Sequence, residues 1–452
     1  MDVSRNKRVF SVFFQLLEKV RKAAQKKKLA DENWIVFPSQ YLLNMIVIIG
    51  AGVAGLTCAK YLKDKGVETL ILEASDAVGG RVRTDNVKGF KLDRGFQVLL
   101  TSYPEAEKLL NYKDLRLQNL PSGARVRTGN DFFVMPNPLK DILTAPQALF
   151  SPVGSLFDKL KVLQLNLETR NAIEPDFSSL PANEPTAAFL KDYGYSDKMI
   201  NRFFVPFFGG VFLERKLETS SSYFKFLYNL FAKGDVAVPQ NGMQAIPEQI
   251  AGHLSPNQIR LNTPVKKISG KIVYLENGET IAADKIVLAT DALAAAKLLG
   301  QESNVKFNST VCLYFESGAP LKLNGAPYLI INSNANETID HLLVSSDVAP
   351  SYAPAGKTLI SVSIVGSKEI SDNDLKESVQ TELVEWFGRG NAWQHLKTYR
   401  IPQALPQFFQ ESSITRGLKI NDDIYRCGDY TAYPSLNAAI KTGREVAEAL
   451  NQ

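Results

Sequence analysis

Apolar positions along the chain change period several times, and each change predicts a different element. Ile46 to Ile49 form a continuous β-branched run, the pattern of a strand buried on both faces of a parallel sheet. The stretch after it reads as helix up to Gly66, and Val67 to Leu72 predict a second buried strand ending at Glu73. Residues 261–292 predict short strands around a turn at Asn277 and Gly278, closing with an apolar strand from Lys285 to Ala289. Near the C-terminus a strand from Ile424 to Cys427 precedes a helix in which Leu436, Ala439, Ile440, Gly443, Val446, Ala447 and Leu450 keep helical spacing. Residues 201–231 are helical in pattern and hold ten Phe or Tyr, a density that suits a wide apolar pocket or ordinary core packing. The runs at 310–317 and 357–366 read as strands forming a pocket floor.

A separate pattern occupies the first forty-four residues. Val9, Phe10, Phe13, Leu16, Leu17 and Val20 recur at helical spacing, with a Lys-rich stretch after them. Such a basic amphipathic helix fits peripheral contact of residues 9–28 with an anionic membrane surface. A helix docked on the body, or an extension without a role upstream of Met45, reads equally from the pattern. Gln15 interrupts the apolar stretch and charges follow from Glu18, so a secretory signal is not predicted. The expected location is cytoplasmic, with membrane association through this segment. The net charge of +5 resides in these residues, nine basic against four acidic, which leaves forty-three of each sign in the body. A neutral body supplies no electrostatic case for a nucleic-acid partner. Three scattered cysteines and three scattered histidines show no metal-ligand spacing, so no metal is expected.

Glycines carry the chemistry. Gly50, Gly52 and Gly55 follow the first strand and open a helix at Val53 and Ala54, the G-x-G-x-x-G arrangement of a dinucleotide site. Gly50 permits the tight turn, Gly52 lets backbone approach a pyrophosphate, and Gly55 with Ala59 packs helix on strand. Free N–H groups at the helix N-terminus suit phosphate. Glu73, with Ala74 beside it, lies 23 residues after Gly50, where a carboxylate accepts hydrogen bonds from the adenosine ribose.

Soon after Glu73 come Gly79, Gly80 and Arg81, then an Asp/Gly-rich stretch from Asp93 to Gln97. Here the chain resembles the flavin amine oxidase superfamily, which includes monoamine oxidases, protoporphyrinogen oxidases and phytoene desaturases. The resemblance implies a non-covalent FAD, with Arg81 at the pyrophosphate and Asp93 to Gln97, Gly95 among them, near the isoalloxazine. It further implies Val265 over the adenine, Thr290 at the cofactor, and Gly428, Asp429 and the helix end at Leu436 beside the flavin. Pro239, Asn241, Gly242 and Met243 match a further segment of protoporphyrinogen oxidase and desaturase relatives. Amine-oxidising relatives carry a lysine in the strand where this chain is matched by Val311.

The expected fold is α/β: a discontinuous Rossmann-type FAD-binding domain (45–100, 235–300 and 405–452) with an inserted α+β substrate-binding domain (101–234 and 301–404), after the extension 1–44. The expected activity is removal of a hydride from a C–N or C–C bond of a mainly apolar small molecule, with oxygen or a quinone as acceptor. Tyr433, Gln97 and Phe208 are the candidate pocket residues. An NAD(P)-dependent reductase and a non-catalytic flavin-binding protein are the alternatives.

Overall fold

A computed structural model of the protein describes residues 45–137, 140, 142–172, 174–175, 184–318, 320–321, 323, 325–367, 369–409 and 417–451. The extension 1–44, with its predicted membrane contact at 9–28, lies outside the described residues.

A five-stranded parallel sheet forms the nucleotide end, with strands in the order Ile259–Arg260, Thr69–Leu72, Ile46–Ile49, Lys285–Leu288 and Ile424–Arg426. Ile46 stands beside Thr69 on one flank and Lys285 on the other, so the first strand is central. Its continuous apolar pattern follows from that place: Ile46 and Ile48 enter one core, Val47 and Ile49 the core on the opposite face. Helix Val53–Asp64 leaves this strand and ends at Gly66, whose φ of +75° is the left-handed conformation glycine adopts without strain. The C-terminal helix Leu436–Ala449 packs against it at Gly443, where a Cβ would stand 2.4 Å from the Ala54 carbonyl oxygen. The strands predicted around Gly278 form a three-stranded antiparallel sheet over Val265–Ser269, Ile272–Leu275 and Thr280–Ala282.

A seven-stranded sheet forms the other end, in the order Trp393–Pro406, Phe307–Ser317, Thr358–Val365, His341–Val344, Ile330–Asn332, Gly123–Thr128 and Asp131–Pro136. Alternation divides its residues. Val311, Leu313 and Phe315 pack with Leu375, Val379 and Leu383 of helix Asp372–Phe387 on one face, whereas Cys312 and Tyr314 join the main core on the other. The aromatic stretch forms helices Val205–Phe212 and Ser221–Lys233, preceded by a π-helical turn at Ile200–Phe204.

Candidate active site

The turn after the first strand is shaped by glycines that do different things. Gly50 has φ +108°, and a Cβ there would meet the Ala289 carbonyl oxygen at 2.7 Å. At Gly55 it would meet the Gly50 carbonyl oxygen at 2.1 Å, so both positions are closed by backbone. Gly52 is open: a Cβ there would meet nothing within 4 Å. The second glycine segment comes alongside, with the Gly79 N–H donating to the Ala51 carbonyl at 2.9 Å. A Cβ at Gly80 would stand 3.4 Å from the Gly52 Cα. Side-chain-free backbone from two segments thus borders one space at a helix N-terminus, which fits the pyrophosphate of a dinucleotide.

Glu73 closes the second strand. Its carboxylate accepts from the Ala51 N–H at 2.7 Å and from the Ser75 N–H and hydroxyl at 2.9 and 2.7 Å. Across the space, the Arg81 guanidinium lies 2.6 Å from Asp429 and donates to the Ala404 carbonyl. Asp429 is buried and Arg81 partly exposed, so the pair joins the glycine segment to the C-terminal strand with its cationic side accessible. The Gly428 turn is held on both sides: its N–H donates to the Thr442 hydroxyl, and its carbonyl accepts from Thr431. Gln97 donates to the Arg81 and Arg94 carbonyls, which fixes the loop after Asp93.

One cavity of about 1430 Å³ connects this cradle to the aromatic helices. Its lining includes Gly50, Gly52, Val53, Ala54, Glu73, Ala74, Gly79, Gly80, Arg81, Gly95, Gln97, Thr290, Gly428, Asp429 and Leu436, and on the far side Phe208. Gly55 does not line it, consistent with a packing role, and neither does Val265, which is half-buried beside the core under the antiparallel strands.

Tyr433, expected to face the flavin, stands off the cavity. It is 2 % exposed, packs on Tyr223 and Phe226, and its hydroxyl accepts from Asn437 four residues on. Asp93 is also turned into the protein, accepting from the Thr84 hydroxyl, the Met243 N–H and the Tyr352 hydroxyl. Burial pushes its carboxyl up to about 6. Val311 faces the outer core, and its strand neighbour Thr310 lines the cavity. His341, whose scattered position gave no signal, is buried in the cavity wall. Its Nε2–H donates to the Pro206 carbonyl at 2.7 Å, which leaves Nδ1 as the unprotonated nitrogen of the neutral ring. Burial lowers its pKa further from neutrality. Gly210 makes room for that ring: a Cβ there would lie 2.3 Å from His341 Cε1. Among the described residues no group of three His, Cys, Asp or Glu side chains could hold a metal.

This fold and cradle define an FAD-dependent oxidoreductase. The chain belongs to the flavin containing amine oxidoreductase family, whose model matches residues 53–451. Among curated proteins it is 25% identical over 423 residues to coproporphyrinogen III oxidase of Bacillus subtilis (strain 168), covering 80% of this chain and 87% of that protein. It is 24% identical over 473 residues to 15-cis-phytoene desaturase of Capsicum annuum, covering 90% and 78%. A solved oxidoreductase from Methanosarcina mazei shares the fold with a TM-score of 0.69 and 18% identity, covering 89% of this chain and all of that one (100%). Membership in a flavin family sets aside the reading of the glycine motif as a nicotinamide site.

Proposed function

We propose that the protein removes a hydride from a C–N or C–C bond of a mainly apolar small molecule and delivers the electrons to oxygen or a quinone. The observation that carries this is the continuity of the glycine cradle with the aromatic wall in one cavity. When bound at the cradle, FAD supplies the two-electron acceptor. Gly52, Gly79 and Gly80 let backbone approach its pyrophosphate, Glu73 takes its ribose, and Arg81 and Asp429 hold its phosphate and ribityl portions. The helix N-terminus at Leu436 favours negative charge there. Thr290 and Gly95 border the remainder, and Val265, off the cavity, is left without a contact to the cofactor. Tyr433 packs on Tyr223 and Phe226 of the aromatic helix Ser221–Lys233.

On the substrate side Phe203, Phe207, Phe208, Leu227 and Phe231 supply an apolar wall, with Tyr223 and Tyr228 beside them and Lys140 and Asp235 elsewhere in the lining. Holding a C–H donor in place and excluding water are the tasks left to such a wall, and neither needs a protein base. His341 adds a neutral polar edge, and Thr310 occupies the cavity face of the strand where amine-oxidising relatives carry lysine. The domain division inferred from the sequence assigns the cradle to 45–100, 235–300 and 405–452 and the wall to the two insertions. Residues 9–28 are proposed as a membrane contact from their sequence.

The first two curated relatives named above, a coproporphyrinogen oxidase and a phytoene desaturase, indicate the donors to try first. Anaerobic titration of the FAD-loaded protein with a porphyrinogen, a polyene and an aliphatic diamine tests the proposal. A porphyrinogen or polyene is expected to bleach the flavin at least about tenfold faster than the diamine. A flavin reduced by dithionite and by none of the donors would overturn it in favour of a non-catalytic flavoprotein.

A further inference from the structure

Away from the cradle, the described lining of the cavity holds one imidazole. His341 opens strand His341–Val344, and its ring is wedged against helix Val205–Phe212 in the space that Gly210 leaves. The Pro206 carbonyl can only accept, so the bond at 2.7 Å places the ring proton on Nε2. Nδ1 then carries a lone pair. It has no partner among the described residues and is not sealed by packed atoms, and the ring lines the cavity, so this lone pair opens on the cavity. Burial holds the ring neutral. The two charged groups that act on it, Asp340 and Arg215, are paired with each other at 2.7 Å and pull in opposite directions.

Thr310 repeats the arrangement. Its hydroxyl donates to the Ile364 carbonyl at 2.9 Å, so the oxygen is left to accept at the cavity it lines. Thr310 and His341 share a face of the sheet: they flank strand Thr358–Val365 on opposite sides, beside Val365 and Ser363 respectively. The sheet therefore offers the cavity two acceptors whose own protons are committed elsewhere.

We propose that Nδ1 of His341 determines specificity, by accepting a hydrogen bond from an N–H or O–H of an otherwise apolar substrate. This rests on the reading of the cavity as an apolar substrate site. Ring packing alone cannot make the choice, because aromatic side chains pack on an N–H heterocycle and on its hydrocarbon analogue alike. An acceptor fixed beside the aromatic wall can. A ligand that carries a donor pairs with Nδ1, whereas a hydrocarbon seated in the same place leaves the nitrogen unpaired and out of reach of water. The Pro206 bond and the close fit at Gly210 keep the ring from turning away, so the acceptor is in place before the ligand arrives.

Carbazole and fluorene test this without turnover. The two tricycles have nearly the same shape, and the N–H of the first stands where the second has a CH2. Equilibrium dialysis against the full FAD-loaded chain is expected to show carbazole bound about tenfold tighter than fluorene. Two variants separate the roles of the ring nitrogens, because a glutamine amide reaches as far as Nε2 and an asparagine amide as far as Nδ1. His341→Gln keeps a donor for Pro206 without the acceptor, and is expected to reduce the preference to less than about twofold. His341→Asn gives up the Pro206 bond but keeps an acceptor at Nδ1, and is expected to hold the preference at about fivefold or more. Equal binding of the two tricycles to the wild-type protein overturns the proposal and leaves the apolar-substrate reading standing. Binding of neither overturns both. A preference that survives in His341→Gln also overturns the proposal, since the ring then serves only to tie strand to helix. The wild-type comparison decides even where a variant fails to fold.

Discussion

The two ends of the cavity are built from different materials. At the nucleotide end the wall is backbone, and its shape depends on the absence of side chains at Gly52, Gly79 and Gly80. At the substrate end it is rings packed on rings: Phe208 lies 4.6 Å from Phe224 and 5.2 Å from Phe207, centre to centre. A backbone wall tolerates almost no change at particular positions. A side-chain wall is set by summed volume and tolerates exchange among its members. The nucleotide end should therefore respond to single glycine substitutions in an all-or-none way, and the substrate end by degrees.

Gly55→Val should have the largest effect. The added Cβ collides with the Gly50 carbonyl, and about 3 kcal/mol or more of stability is expected to be lost, measured by urea unfolding of the FAD-free protein. Asp93 is next. It is buried off the cavity, one carboxylate oxygen bonded to Thr84 and Met243 and the other to Tyr352. The folded protein keeps its proton up to about pH 6, whereas an unperturbed Asp releases it near 3.8. Between these values the folded state binds more protons, so stability falls as pH rises, and the loss is complete above about 6. The whole shift corresponds to about 3 kcal/mol. Asp93→Asn, which mimics the neutral carboxyl, should remove this slope; parallel curves for wild type and variant from about pH 4 to about pH 7 would contradict it.

Gly52→Val sharpens the contrast with Gly55. No atom meets the added Cβ, so stability without FAD should stay within about 0.5 kcal/mol of wild type, while FAD affinity falls about 100-fold in equilibrium titration. Equal losses in the two glycine variants would break the distinction between packing and cradle. Phe231→Ala should show the smallest effect. This half-buried ring borders the cavity, and the expected outcome is unchanged FAD content with KM for an apolar donor raised a few-fold, about 1 kcal/mol.

The same division explains what could be read from the chain. Gly50 and Gly55 were legible because the tight turn and the helix–strand contact each demand glycine at that spacing, and Glu73 because it follows the last residue of the second strand. The strand pattern at 46–49 was legible because its neighbours bury both faces. Which face of the run from Thr310 to Phe315 meets the cavity was not: Thr310, Cys312 and Tyr314 alternate with Val311, Leu313 and Phe315, both sets are buried, and a slip of one residue reverses the answer. Tyr433 was misleading for a tertiary reason: Asn437 satisfies its hydroxyl and Tyr223 and Phe226 cover its ring, none of which a local pattern reveals. His341 became visible only when strand His341–Val344 and helix Val205–Phe212 met at Gly210.

The central claim is that cradle and aromatic wall form one site in which an apolar donor meets FAD. The rate of anaerobic flavin reduction by such a donor in a Phe203→Asp variant tests it most directly. Phe203 lines the wall and lies outside the glycine segments. The account predicts an unchanged flavin spectrum and FAD content with reduction slowed about 100-fold, since a carboxylate in the wall binds water where the donor should sit. Reduction at the wild-type rate would show that the donor reaches the flavin by another route and would contradict the account.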